Sequence, residues 1–209
     1  MKKYLKKGIR LSFTIVVILL LFSMVSCTLD NKIGNALSKT EEETLDLEFY
    51  FSEFGEYAIL LPVHLMEYDY PPVKTKWGII TTYEDYNTFD GVLYSVSYIL
   101  FHEPITIPAK DYLDSYVEND IKASFGNAEI ISKKEILIEN HHGLELTLHD
   151  KSETDEMIVT TLRTFLNDNI QYMLMISGPA NKIKKVPVKE ILDSFHFYNT
   201  VAYYKDYKP

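Results

Sequence analysis

From Leu45 to about residue 200, apolar and polar positions follow two distinct periods, and the places where one gives way to the other divide the chain into elements. Leu45, Leu47, Phe49 and Phe51 alternate with Asp46, Glu48, Tyr50 and Ser52. A turn at Glu53 to Gly55 then leads into EYAILLP, which stops at Pro62. This period of two predicts a β-hairpin. KWGIITTYED and GVLYSVSYILF predict two further strands, separated by the polar turn NTFDG. The second is apolar on both parities, with Val92, Tyr94, Val96 and Tyr98 against Leu93, Ile99 and Phe101, as expected of a central strand covered on both faces.

At Pro108 the period changes. Pro108 signals a helix start, Leu113, Tyr116, Val117 and Ile121 fall on one side, Asp114, Glu118 and Lys122 on the other, and Gly126 closes the segment. Two hairpins follow. In the first, KKEILIEN and LELTLHD are joined by His141, His142 and Gly143, a loop that sets Ile138 opposite Leu146, Ile136 opposite Leu148 and Glu139 opposite Glu145. In the second, MIVTTLRTFL turns at Asn167 to Asn169 into IQYMLMISGP, setting Leu162 against Leu174 and Leu166 against Ile170. VPVKEILDSF, with Pro187 in its first turn and Val188, Ile191, Leu192 and Phe195 at helical spacing, predicts a closing helix. Strands on both sides of one helix, then a last helix, predict an α+β fold. Its largely antiparallel sheet of about six to eight strands lies between helices in an α/β/α sandwich.

The residues before Leu45 have a different character. MKKYLKKGIR carries five basic residues and no acid, and LSFTIVVILLLF follows it, which together make the n-region and h-region of an export signal. The apolar run from Leu11 to Val25 falls short of the roughly 20 residues that span a bilayer and is diluted by Ser12, Thr14 and Ser23. Met24, Val25, Ser26 and Cys27 resemble a bacterial lipobox. That resemblance implies a lipoprotein signal peptide over residues 1–26 and acylation of Cys27, the only cysteine of the chain. Ordinary signal-peptidase cleavage after Cys27, with Val25 and Cys27 at the recognition positions, is the alternative. Residues 27–44 are polar, end in three glutamates and are expected to act as a flexible tether; 45–204 form one domain and 205–209 a C-terminal tail.

Charge narrows the partners. After residue 26 the chain carries 16 basic and 30 acidic residues, a net charge of −14. Such a field repels nucleic acid and anionic lipid alike, so no nucleic-acid partner is expected. Membrane contact must come from the acyl chains, at about 0.8 kcal/mol per buried methylene. The expected location is the cell membrane, lipid-anchored and facing outside the cytoplasm.

The run LRTFLNDNIQYMLMISGP followed by EILDSFHF resembles the C-terminal half of PsbP-like domains, which share an α/β/α sandwich with the Mog-type Ran-binding protein. Arg163, Asn167 or Asn169, Tyr172 with Leu174, and Leu192 to Phe195 carry that likeness. LYSVSYILF and the pair Gly143 and Glu145 extend it upstream, while Ile191 stands where many members have Phe. The resemblance implies a fold and an exported, often lipid-anchored setting, without shared catalytic machinery.

Candidate chemistry is sparse. His141, His142 and His149 lie in or beside one predicted hairpin, with Glu135 placed opposite His149 and Asp150 adjacent, which offers donors for a divalent metal. Neighbouring loop histidines point in different directions and no HExxH spacing is present, so a polar turn is expected instead, with no metal and no cofactor. The chain has no G-x-S-x-G elbow and no phosphate-cradling glycine loop, and no enzymatic activity is expected. Glu84 with Asp85, and Asp155 with Glu156, are placed in solvated turns. Arg163 is the sole arginine after the signal, and two roles stay open for it: an ion pair with Asp193 or Glu145, or a cap over a crevice that receives an anionic ligand. Tyrosines cluster at YEDY (83–86) and YYKDY (203–207), as half-buried strand and terminal residues or as a contact surface. Taken together, these features lead to the expectation of a non-enzymatic envelope module with an envelope-protein partner. The alternative is a small-ligand- or metal-binding domain with hydrolytic activity.

Overall fold

A computed structural model describes residues 45–126, 128–152 and 155–198. The expectations for the signal, Met24 to Cys27, the tether, Tyr203 to Tyr207 and the tail lie outside the described residues. In chain order the strands are β1 (Glu48–Ser52), β2 (Tyr57–Leu61), β3 (Met66–Asp69), β4 (Val73–Thr75), β5 (Gly78–Phe89) and β6 (Val92–Phe101). After the first helix come β7 (Glu129–Ile138), β8 (His141–Lys151), β9 (Met157–Asn167), β10 (Ile170–Pro179) and finally β11 (His196–Phe197). Helix α1 (Ala109–Tyr116) runs on through a π-helical turn, Val117–Ile121, and Lys122–Ser124. Two short helices, α2 (Ala180–Ile183) and α3 (Val188–Asp193), follow β10.

The fold is α+β and built on antiparallel pairing. An eight-stranded sheet runs β3-β5-β6-β10-β9-β8-β7, with β4 also paired to β5, and a three-stranded sheet runs β1-β2-β11. Strand β6 lies between β5 and β10 and is buried along most of its length, in agreement with its apolar residues on both parities. On one face of the large sheet, Tyr112, Leu113, Val117 and Ile121 of α1 pack on Leu144, Leu146, Leu148 and Leu162. On the other face, Tyr57, Ile59 and Leu61 of β2 join Ile191, Leu192 and Phe195 over Tyr98, Phe165, Tyr172 and Leu174. The second covering layer is therefore part helix and part small sheet, because α3 has only six residues and cannot span the large sheet alone. Each large side chain closed off in this way contributes about 1.5–3 kcal/mol.

Several expected registers differ from the observed ones, in β1 through a contact from β3 and in two hairpins through the length of the turn. In β1 the inward side chains are Tyr50 and Ser52, whereas Phe49 is 51% exposed. Phe49 and Phe51 instead pack on the outer side of the small sheet, against His196 and Tyr198. Tyr50 turns inward because its hydroxyl finds a carboxylate there, donating to Glu67 Oε1 at 3.1 Å.

Between β7 and β8 the turn is only Glu139 and Asn140, both with positive φ (50° and 68°), a two-residue turn whose twist matches a hairpin. His141, His142 and Gly143 are thus strand residues, and Ile138 pairs with His141, Ile136 with Gly143 and Glu135 with Leu144. The expected pairings are displaced by an odd number of positions, which exchanges the faces of one strand relative to the other. Gly143 is needed for close approach rather than for a turn: a Cβ there would meet Phe165 Cβ and the Thr164 carbonyl oxygen at 3.0 Å. Between β9 and β10 a second two-residue turn, Asp168 and Asn169, pairs Asn167 with Ile170. Leu162 therefore opposes Met175, Leu166 opposes Gln171, and Leu174 opposes Arg163.

Candidate functional site

Arg163 sits on β9, on the face covered by α3, and only 8% of it is exposed. Its Cα partners are Glu145 on β8 and Leu174 on β10. Nε donates to Glu145 Oε2 at 2.8 Å, and a terminal guanidinium nitrogen donates to Asp193 Oδ1 at 2.7 Å. Asp193 is the last residue of α3, so one guanidinium ties the helix to two strands. Lys189, one turn earlier on α3, also pairs with Asp193, and Lys134 lies 3.8 Å from Glu145. The hydrogen bonds from Lys189 and then Arg163 hold the Asp193 carboxyl below its usual range. A shallow groove of about 590 Å³ runs along α3, lined by Val186, Pro187, Val188, Lys189, Glu190 and Asp193. Arg163 lies behind that wall, bound to carboxylates on both sides.

The strongest electrostatic feature was misplaced by the sequence expectation. Glu84 and Asp85 are not in a turn: β5 continues through them to Phe89, and they are 3% and 1% exposed. The polar run NTFDG supplies only the two-residue turn Asp90–Gly91, both at positive φ. Because neighbours on a strand point to opposite faces, the two acids enter different layers. Asp85 faces the small sheet, where the Tyr57 hydroxyl donates to its Oδ2, and its cross-strand partner on β3 is Glu67. Burial raises the Asp85 carboxyl above its ordinary range, and the hydroxyls of Tyr57, Ser52 and Tyr50 pull it back only in part. Glu84 faces the α1 side, where Tyr70 donates to Oε2 at 3.2 Å and Ser95 to Oε1 at 3.4 Å. Burial raises it too, with Asp85 adding to the effect. The facing phenols respond in kind: burial and then the Glu84 charge push Tyr70 up to about 12, and burial and then Asp85 raise Tyr57. The strand predicted over KWGIITTYED already ended on these two acids, and no alternation of apolar with polar residues from Tyr83 to Thr88 carries it on to Phe89.

The histidines are not assembled as a metal site. His141 stacks on Phe165 and meets Phe197 edge-on, whereas His142, its neighbour on β8, points to the opposite face. His149 pairs across the strands with Glu129 and Val159. Glu135 pairs with Leu144 and its carboxylate with Lys110, so it is not opposite His149 as expected from the misjudged turn. Among the described residues no three His, Cys, Asp or Glu side chains converge as metal ligands. Nor is any helix among them long and apolar enough to cross a membrane.

No family model matches the chain, and no curated protein is detectably similar to it. Among solved structures, it is similar to a Pseudomonas aeruginosa protein of unknown function, PA94, described as a putative regulator. That match has a TM-score of 0.41 and 10% identity, over 74% of this chain and 99% of the other. A protein from Bacteroides thetaiotaomicron matches at 0.44 and 11% identity over 73% of this chain, which spans about half (49%) of that longer one. The solution structure of cyanobacterial PsbP (CyanoP) from Synechocystis sp. PCC 6803 matches at 0.45 and 17% identity, over 81% of this chain and 99% of the other. At these scores none of the likenesses assigns a family or an activity to this chain.

Proposed function

We propose that this chain is a lipid-anchored, non-enzymatic binding module of the bacterial cell envelope, carried on a PsbP-like α/β/α sandwich. Residues 1–26 export it, Cys27 receives the acyl chains, and residues 28–44 hold the domain away from the headgroups, which its acidity also repels. The observation that carries the non-enzymatic part is the engagement of Arg163. The one guanidinium suited to gripping an anion is closed between Glu145 and Asp193, where it joins α3 to β8 and β9. The buried carboxylates are likewise engaged by tyrosine hydroxyls between layers. What remains for function is surface, and the partner is another envelope component.

The test has two arms on the full chain expressed in a bacterium. Metabolic labelling with an alkyne fatty acid should mark the wild type and not Cys27→Ala, which should accumulate as precursor or be released. Continued labelling of Cys27→Ala would refute the anchor. Mild crosslinking in intact cells followed by purification should yield one defined adduct, and its absence, or stoichiometric zinc on elemental analysis, would overturn the binding-module assignment.

A further inference from the structure

The large sheet is not covered evenly on its α1 side. Helix α1 lies across β8 and β9, whereas at the β3 end of the same face Met66 is 48% exposed and Tyr68 39%. The register brings a specific set of side chains together there: Tyr68 is the cross-strand partner of Glu84, Met66 is that of Tyr86, and Ser97 of β6 flanks Glu84 on its other side. The Tyr68 and Tyr86 rings stack with centroids 4.8 Å apart and planes within 20°, which fixes Tyr68, the cross-strand neighbour of Glu84, with its outer ring face free of Tyr86. Tyr70, whose backbone N–H donates to the Thr82 carbonyl at 3.0 Å, closes over Glu84 with its hydroxyl.

Glu84 is under-served in this setting. An ionised carboxylate has about four acceptor sites, and here two neutral hydroxyls serve it, at 3.2 and 3.4 Å. Among the described residues no lysine or arginine pairs with it, although nine other ion pairs form across the molecule. A desolvated carboxylate without a cation is costly, and a cation brought from outside would relieve it. The net charge of −14 after residue 26 draws basic partners toward the surface before contact.

We propose that this tyrosine-lined end of β3, β5 and β6 is a docking surface for an arginine-bearing segment of a partner protein. The guanidinium lies on the outer face of the Tyr68 ring, which Tyr86 backs, and forks onto Glu84. This rests on the assignment of the chain as a binding module and names the face and the chemistry it uses. A planar guanidinium stacks on aromatic rings and meets a carboxylate with two parallel donors, which an ammonium does not. On docking, the Tyr70 hydroxyl gives way, and a hydrogen bond from a neutral donor is exchanged for a pair of opposite charges.

The test uses the full chain in detergent micelles, with its methionine methyl groups labelled with carbon-13, titrated with acetyl-Gly-Arg-Gly-amide and its lysine and glutamate counterparts. The Met66 resonance should move with the arginine peptide, more weakly with lysine and not with glutamate, while Met157, equally exposed at 48% on β9, stays in place. Glu84→Gln and Tyr68→Leu should each weaken binding by about 10-fold, or roughly 1.4 kcal/mol. The Tyr68 change keeps Glu84 and its hydroxyl partners and so guards against a folding artefact. A Met66 resonance that does not move, equal movement of Met66 and Met157, or unchanged binding by both variants would overturn the proposal. Failure of Cys27 labelling would remove the anchor and leave this result standing, and labelled Cys27 with a silent Met66 would remove the docking face alone.

Discussion

Replacing Arg163 by methionine keeps the length and much of the volume of the side chain while deleting its charge. Two charge-assisted hydrogen bonds are lost, each worth about 1.5–3 kcal/mol in a protein. Breaking a fully buried ion pair costs about 3–5 kcal/mol, because the partner charge is stranded. Here the partners are less confined: the Glu145 side chain is 20% exposed and that of Asp193 is 42%, and Lys134 and Lys189 remain beside them. Water and those lysines take up part of the deficit, so the expected loss is about 2–3 kcal/mol. For a domain of this size that is a fall of roughly 5–10 °C in Tm. Urea and thermal unfolding of the full chain, followed by circular dichroism, measure it. A double-mutant cycle with Asp193→Asn should show coupling, since the two groups are in contact. A loss below about 0.5 kcal/mol, the range of an ordinary surface substitution, would refute the view that Arg163 fastens α3 to the sheet.

Two further outcomes follow from other parts of the molecule. Gly143→Ala should destabilise by about 1–3 kcal/mol in the same unfolding assay, because the new Cβ meets the Thr164 backbone at 3.0 Å; an unchanged midpoint would mean that β8 and β9 can separate freely. Burial raises Glu84 and Asp85 above their ordinary values of 4.5 and 3.8, so the folded state holds their protons more tightly than the unfolded chain. Their contribution is full below those values and is lost as pH rises through the higher folded ones. Asp114, Glu118 and Asp193 are shifted the other way, and their contributions are lost only as pH falls below the ordinary range. Unfolding free energy should therefore decline as pH rises above the ordinary carboxyl range, and Asp85→Asn should flatten that decline; a rise with pH that the substitution leaves untouched would contradict it.

The elements themselves were legible because burial imposes its period on the chain. The run from Val92 to Phe101 is apolar on both parities and forms the central β6, and the helical spacing from Pro108 to Gly126 matches α1 and its π-turn extension. Antiparallel pairing and the α+β class follow from the same local patterns. Pairing is different, because it depends on which turn closes and on what approaches from elsewhere. The two-residue turns at Glu139–Asn140 and Asp168–Asn169 each moved a hairpin register by an odd count and so exchanged faces. Tyr50 rather than Phe49 points inward because β3 and β5 place carboxylates beneath it, a contact across 17 residues that no local period contains. Glu84 and Asp85 looked like turn residues by type. They are buried because tyrosines from β2 and the end of β3 converge on them, and only assembly of the layers brings those hydroxyls within reach.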